Sequence, residues 1–341
     1  MHMADALLSP AVGGTMWVAT AGTIAWCSSK VRQELDERKV PLMGVLGAFI
    51  FAAQMINFSI PATGSSGHIG GGLLLAMLLG PHAAFLTIAS VLFIQALFFA
   101  DGGLLALGCN IFNLGFFQIF VAYPLLYRKL AGRQPKQMRL LMATMIAAVV
   151  GLQFAAFAVV LETTASGISA LPFKAFVLLM QPIHLAIGII EGLATAAVIA
   201  FVYRAHPEFV EGPLMQTPVG KLPLRGMLIA FGLTALLLGG GVSWFASDHP
   251  DGLEWAISRV TGTTALPSPE HQVHDILAAV QENLAISPDF VRRTGSAIPV
   301  ASADTGSGRT DTGVAGLLGG LITLVLCVLV GLLLRQHVRR T

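Results

Sequence analysis

The chain has 341 residues, 55% of them hydrophobic and only 11% charged, with a formal net charge of +2 at pH 7. Soluble domains carry roughly 25% charged residues, so this composition excludes a water-soluble globular protein, and the small net charge excludes a nucleic-acid partner. It predicts an all-α polytopic membrane protein, because in hydrocarbon a helix satisfies its own backbone N–H and C=O groups.

The first element is the terminus, Met1-His2. A free amine on Met1, the amide nitrogen of His2 once deprotonated and the His2 imidazole close fused five- and six-membered chelate rings. Those donors fill all but one corner of a square plane, a geometry that suits Ni(II) or Cu(II). The start lacks the charged region of a cleavable signal and carries Asp5 instead. Bulky His2 also disfavours trimming of Met1, so the mature protein is expected to keep its first residue.

Apolar runs of about 20 residues predict membrane spans. They lie at 10–28, 41–58, 81–100, 104–127, 139–161 and 173–203, with a half-length helix at 70–79 and two more spans at 226–246 and 314–334. This gives about seven helices before Pro207 and two after it. Lys and Arg concentrate in Lys30–Lys39, Tyr127–Arg139, Tyr203–Arg225 and the tail Arg335–Arg340. Positive loops face the cytoplasm, so the N-terminus is expected outside, with the loops 59–72, 101–108 and 162–173, and the C-terminus inside. The expected divisions are a core at 1–205, a cytoplasmic linker at 206–225, and a second unit at 226–341 with an extracytoplasmic loop at 247–313.

The candidate site residues follow from that topology. The loop Pro61–Gly72 is rich in glycine and carries His68 on the same face as Met1-His2, which makes it the candidate fourth donor. Asp101, Asn110, Asn113, Asp5 and Ser9 are candidates for hydrogen bonds that orient a ligating histidine. His184 and Glu191, spaced seven apart on one helix, read as a structural pair or as a proton relay. His271 and His274 could place imidazoles on one helical face, but without further ligands nearby they read as a solvated turn. The small-residue ladders Gly44/Ala48/Ala52 and Ala21/Ala25 allow close helix approach. Cys27, Cys109 and Cys327 are too dispersed for a disulfide framework. No phosphate-binding glycine loop and no catalytic pattern occurs, so the chain reads as a non-enzyme that binds no nucleotide.

Taken in order, these motifs resemble the CbiM/NikM family, the substrate-specific components of energy-coupling factor (ECF) transporters for cobalt and nickel. The likeness spans residues 1–205. It rests on Met1-His2-Met-Ala-Asp5, Leu8-Ser9-Pro10, Thr63-Gly-Ser-Ser-Gly-His68 with Gly71-Gly72, and Gly80-Pro81. It continues through Gln95-Ala-Leu, Asp101-Gly-Gly103, Ala106-Leu-Gly108 with Asn110 and Asn113, and His184 with Gly188 and Glu191-Gly192. The family reads Asp-Gly where this chain has Asp5-Ala6, and Gly-Asp-Gly-Gly where it has Ala100-Asp101-Gly-Gly, departures that bear only on local backbone angles. The resemblance implies metal ligation by Met1, His2 and His68, in agreement with the chelate argument. Pro250-Asp-Gly-Leu-Glu254, between the last two spans, resembles the PDGLE signature of NikN/CbiN-type units, whose external loop is thought to help metal reach the substrate component.

The expected function is the metal-binding component of an ECF-type importer in a bacterial cytoplasmic membrane, surrounded by lipid. Its partners would be a transmembrane coupling subunit and cytoplasmic ATPase subunits. Ni(II) is favoured as cargo, because amide-nitrogen ligation in a square plane suits it and the fused second unit looks nickel-type. The alternatives are a cobalt-specific component supplying cobalamin biosynthesis and a stand-alone proton-coupled transporter using His184 and Glu191. No donor is assigned to 226–341, so residues 1–205 are expected to keep the full equilibrium affinity.

Overall fold

The structure, a computed structural model, describes residues 1–34, 39–132, 135–215, 224–267, 269–286 and 308–338. Arg38, Arg133, Lys221, Arg339 and Arg340, residues 216–223 of the expected linker and residues 287–307 of the expected loop lie outside the described residues.

After a single 3₁₀ turn at Asp5–Leu7, the chain forms α1 (Pro10–Glu34) and α2 (Lys39–Gln54). A short antiparallel hairpin follows, β1 (Phe58–Ile60) with β2 (Ser65–Gly67), and then α3 (Gly72–Leu79) and α4 (Pro81–Phe99). Next come a long helix α5 (Leu107–Ala131), α6 (Gln137–Ser166), α7 (Phe173–Ala205) and α8 (Glu208–Met215). The second unit contributes α9 (Leu224–Gly240), α10 (Gly252–Thr261), α11 (Gln272–Leu284) and α12 (Gly308–Val338). Helices α4, α5, α6, α7 and α12 are long and apolar enough to cross a membrane. Their outward faces carry exposed Phe154, Leu178, Leu193, Phe201 and Leu321, a placement that suits lipid and not water. Trp244 and Phe245 are exposed just past the end of α9, where amphipathic rings settle at a membrane interface.

The predicted runs fall on helices, with two local differences. The run at 41–58 stops being helical at Gln54, and Phe58 opens β1. The run at 226–246 ends at Gly240 and tightens into a 3₁₀ turn over Val242–Phe245. The loop at 247–286 is not plain loop either, since it folds into α10 and α11.

Two packing features position the functional end. The stretch Phe112–Tyr127 of α5 has π-type hydrogen bonding. Asn113, Gln118, Tyr123 and Tyr127 are all buried along it, at steps of five, five and four residues. Those steps are too long for 3.6-residue turns but match the wider π turn, which brings the polar side chains to one inner face. On α2, the small-residue ladder receives the second unit. A Cβ on Gly44 would lie 2.6 Å from Val328 Cγ2, one on Gly47 would lie 2.8 Å from Cys327 Sγ, and Ala52 Cβ faces Gly239 of α9. The ladder on α1, by contrast, leaves Ala21 and Ala25 exposed. Gly44→Leu should therefore overpack the α2–α12 contact at a cost of about 1–3 kcal/mol and lower the melting temperature in detergent. Gly22→Leu, with nothing within 4 Å of the added carbon, should leave it unchanged; equal losses from both would refute this seating of the last helix.

Candidate metal site

The N-terminal segment enters the bundle as an extended strand and is held by its backbone. Met3 is fully buried. Its N–H donates to Asn110 Oδ1 at 2.8 Å, and its carbonyl accepts from Gly103 N at 3.0 Å and Asn110 Nδ2 at 3.2 Å. One asparagine side chain thus satisfies both backbone polar groups of a buried residue, as a neighbouring strand would. Asp5 adds a second tether, its Oδ1 accepting from Ala106 N at 2.9 Å. Gly103 has no alternative here, because a Cβ would fall on the Asp5 carboxylate.

That tethering delivers the terminal amine to His68. Met1 N lies 3.1 Å from His68 Nε2. With metal–nitrogen bonds of about 2.0 Å, donors at neighbouring corners of a square lie roughly 2.8 Å apart, so the two nitrogens are spaced as an adjacent pair. His68 Nδ1 lies 3.1 Å from the Ile69 carbonyl, which can only accept, so Nδ1 carries the proton and Nε2 presents a lone pair. Burial first, then the nearby ammonium and His2, push the His68 pKa down to about 3, and the ring is neutral as ligation requires.

His2 is placed but not yet aimed. Its ring stacks on His68 with centroids 5.0 Å apart and planes 9° from parallel. Its Nδ1, the nitrogen that closes the six-membered chelate ring, contacts Asp101 Oδ1 at 2.9 Å. Nε2 is buried without a partner among the described residues. Chelation through Nδ1 therefore requires its contact with Asp101 to break. Burial alone would raise the Asp101 carboxyl, but His2, His68 and the terminal amine together outweigh it and lower the group from its usual value. Asp101 follows Ala100, whose φ of 48° is left-handed, a strained conformation for any residue with a side chain. The other departure, Ala6, sits in the 3₁₀ turn and needs no positive φ.

The second unit reaches the same point. Asp251 Oδ2 lies 2.6 Å from Met1 N. Asp251 caps α10 in a capping box with Glu254, its Oδ1 accepting from Leu253 N and Glu254 N. Nothing in the sequence foretold that its other oxygen would meet the terminus. The ammonium, against the pull of burial, holds the Asp251 carboxyl well below the usual carboxylate range. Burial and Asp251 together push Glu254 up to about 8. His274 is buried, not solvated as its sequence context suggested, and its Nε2 lies 3.2 Å from the Asp5 carbonyl and 3.0 Å from that of Leu8. Gln281 Nε2 donates to the carbonyls of Ala96 and Gly102 on either side of Asp101. Gln281 also escaped the sequence reading, since a glutamine on an amphipathic helix carries no mark of its partner.

Other sequence candidates have different roles. Ser9 Oγ accepts from Val12 N at 3.4 Å at the start of α1 and orients no histidine. Asn113 donates to Glu162 Oε2 at 2.7 Å and comes within 4.0 Å of Met3 Sδ, so it buttresses Met3. His184 and Glu191 do not satisfy each other: His184 Nδ1 contacts the Met180 carbonyl at 2.8 Å, whereas Glu191 Oε1 accepts from Gly71 N at 3.1 Å. Only the second bond serves the site, by fixing the end of the His68 loop. His271 caps α11, its Nδ1 accepting from Val273 N, and its ring meets His274 edge-on at 5.8 Å.

Comparison with known proteins identifies the family. The family model described as the cobalt uptake substrate-specific transmembrane region (CbiM) matches residues 2–209, and the PDGLE domain matches residues 225–336. A fused nickel transport protein NikMN of Rhodobacter capsulatus is 30% identical over 263 residues, covering 72% of this chain and 74% of that one. The cobalt transport protein CbiM of Sorangium cellulosum is 31% identical over 219 residues, covering 62% and 95%. A crystal structure of a truncated transition metal transporter superposes with a TM-score of 0.54 at 32% identity, covering 60% of this chain and 100% of that one.

Asn110→Ala removes both bonds to the Met3 peptide while leaving every proposed donor in place. It should weaken nickel binding by about 10–100-fold, the usual effect of losing an outer-shell partner, as measured by isothermal titration. Unchanged affinity would mean that the strand is held by something other than Asn110.

Proposed function

The chain belongs to the CbiM family of cobalt uptake substrate-specific transmembrane regions, and we propose that it captures Ni(II) outside the cell for ATP-driven uptake by an ECF-type transporter. It is a multi-pass membrane protein of transition-metal transport. The donors are the Met1 amine, the His2 amide nitrogen, His2 Nδ1 and His68 Nε2. The observation that carries this reading is the 3.1 Å spacing of Met1 N and His68 Nε2, which brings the terminus to the one donor that the Met1-His2 chelate lacks. Ligation displaces a proton from the ammonium and another from the His2 amide, and the proton on His2 Nδ1 that faces Asp101 must move off that nitrogen, whereas His68 Nε2 already presents a lone pair.

Nickel is preferred to cobalt because a deprotonated amide in an all-nitrogen square plane suits Ni(II), and because fused relatives such as that of Rhodobacter capsulatus are named as nickel transport proteins. A cobalt-specific component remains the second reading, supported by relatives named as cobalt transport proteins. The proton-coupled alternative gains no support from His184 and Glu191, which are bonded separately. The concentration of Lys and Arg in alternate loops supports an orientation in a bacterial cytoplasmic membrane with the N-terminus, the His68 loop and 247–286 outside and the C-terminus inside. A transmembrane coupling subunit and ATPase subunits on other chains would supply the energy for release inward.

The test is isothermal titration with nickel on protein whose mature terminus is verified as Met1 by N-terminal sequencing. One extra residue before Met1 should abolish tight binding while the protein still folds. His68→Ala should cost more than the about 10–100-fold typical of outer-shell partners, whereas His82→Ala, packed edge-on to Trp26 at 4.9 Å, should cost nothing. Unchanged affinity in the extended protein would refute the coordination.

A further inference from the structure

The chelate as proposed needs nothing from the C-terminal unit, yet that unit supplies the shortest contact made by the terminal amine. Met1 N lies 2.6 Å from Asp251 Oδ2. We infer that Asp251 is a positioning residue of the metal site, holding the Met1 amine at its corner of the square, so that the C-terminal unit completes the site. This rests on the reading of Met1, His2 and His68 as donors.

Asp251 is well fixed for that task. Its two carboxylate oxygens divide the work: Oδ1 accepts from the α10 backbone at Leu253 and Glu254, and Oδ2 faces the amine. Glu254 Oε2 accepts from Asp251 N at 3.1 Å and closes the cap. The segment before the helix is docked on the hairpin that carries His68. Ser66 N donates to the Pro250 carbonyl at 2.7 Å, Ser66 Oγ to the His249 carbonyl at 2.7 Å, and Trp255 Nε1 to the Thr63 carbonyl at 2.9 Å. Beneath it, a Cβ on Gly252 would lie 2.9 Å from Ile187 Cδ1 and 3.1 Å from His184 Cε1, which makes the His184 ring part of the floor under this turn. The hairpin that aims His68 and the turn that aims Asp251 are thus one hydrogen-bonded block, and the amine sits between their two side chains.

Two consequences follow from that geometry. A chain terminus is otherwise free to swing, and ordering it before the ion arrives removes that entropic cost from binding. When the amine ligates, it gives one proton to solvent and keeps two N–H bonds, one of which still reaches Oδ2, so the contact survives loading. With Asp101 at His2, Asp251 also puts a second carboxylate beside the donors, which offsets the ammonium charge that would repel a divalent cation, an effect that speeds capture in a salt-dependent way. The expectation that residues 1–205 bind as tightly alone is replaced by this shared site.

The experiment uses the full-length protein with Met1 as its terminus, nickel chloride as probe, and the variants Asp251→Asn, Trp255→Phe and His68→Ala. Asparagine caps helices about as well as aspartate, so Asp251→Asn keeps α10 through its one oxygen while it removes the charge and the acceptor that face the amine. It should weaken nickel binding about 10–100-fold and slow capture in stopped-flow. It should also flatten the dependence of the capture rate on salt and leave the absorption band of bound nickel unchanged. Trp255→Phe, which loosens the docking without touching the amine, should lower thermal stability but keep the native salt dependence. Native affinity and rate in Asp251→Asn would overturn the inference, and so would a shifted absorption band, which would make Asp251 a ligand. Failure of the underlying donor set would show separately, as nickel affinity equal in His68→Ala and native protein.

Discussion

The amine of Met1 carries a charge into a place where water scarcely reaches, since the Met1 side chain is 4% exposed. A buried ammonium is tolerated only with close partners, and here they are a carboxylate at 2.6 Å and a neutral imidazole nitrogen at 3.1 Å. Much of the architecture at this end of the bundle serves to bring those partners together. The strand must be inserted, so Asn110 replaces the bonds its backbone would lose. The imidazole must be aimed, so the His68 loop is pinned by Glu191 below and by residues 249–251 beside it. The carboxylate must stay put, so it belongs to a capped helix and not to a free loop.

The same constraint accounts for how the second unit is attached. Its apolar spans pack on α2 through glycines that admit a neighbouring helix, and its polar segment lies over the terminus. His274 and Gln281 reach from α11 to carbonyls at Asp5, Leu8 and Gly102, so one short helix spans both the N-terminal strand and the turn that carries Asp101. Wide π turns in α5 complete the arrangement from within, by turning Asn113 toward Met3 and Glu162.

The apolar helices were legible in the sequence because their pattern is local. A run of about twenty apolar residues reads as a membrane helix, and Met1-His2 could be proposed as a chelate from adjacency along the chain alone. His68 could be proposed from loop composition and topology. What the sequence concealed depends on contacts between distant segments. Asp251 reads only as part of the PDGLE signature, and nothing in Pro250–Glu254 reveals that one of its oxygens caps a helix while the other meets the terminus. His274 reads as solvated since its neighbours are polar, yet α11 lies flat against the core and buries it. His184 and Glu191 share a face by spacing, but the face is long enough for each to meet a different partner. Ala100 is a milder case: a family habit of glycine there matches a left-handed backbone that this chain accepts with a methyl group.

The state described has His2 Nδ1 against Asp101, and loading with metal must break that contact. X-ray absorption spectroscopy of the nickel-loaded protein, with Met1 verified as its terminus, reads the outcome directly. A square plane of nitrogen donors at about 2.0 Å, with the scattering signature of paired imidazoles, is the predicted result. An oxygen-rich octahedral nickel, or one that shows a single imidazole, would contradict the site as built from Met1, His2 and His68.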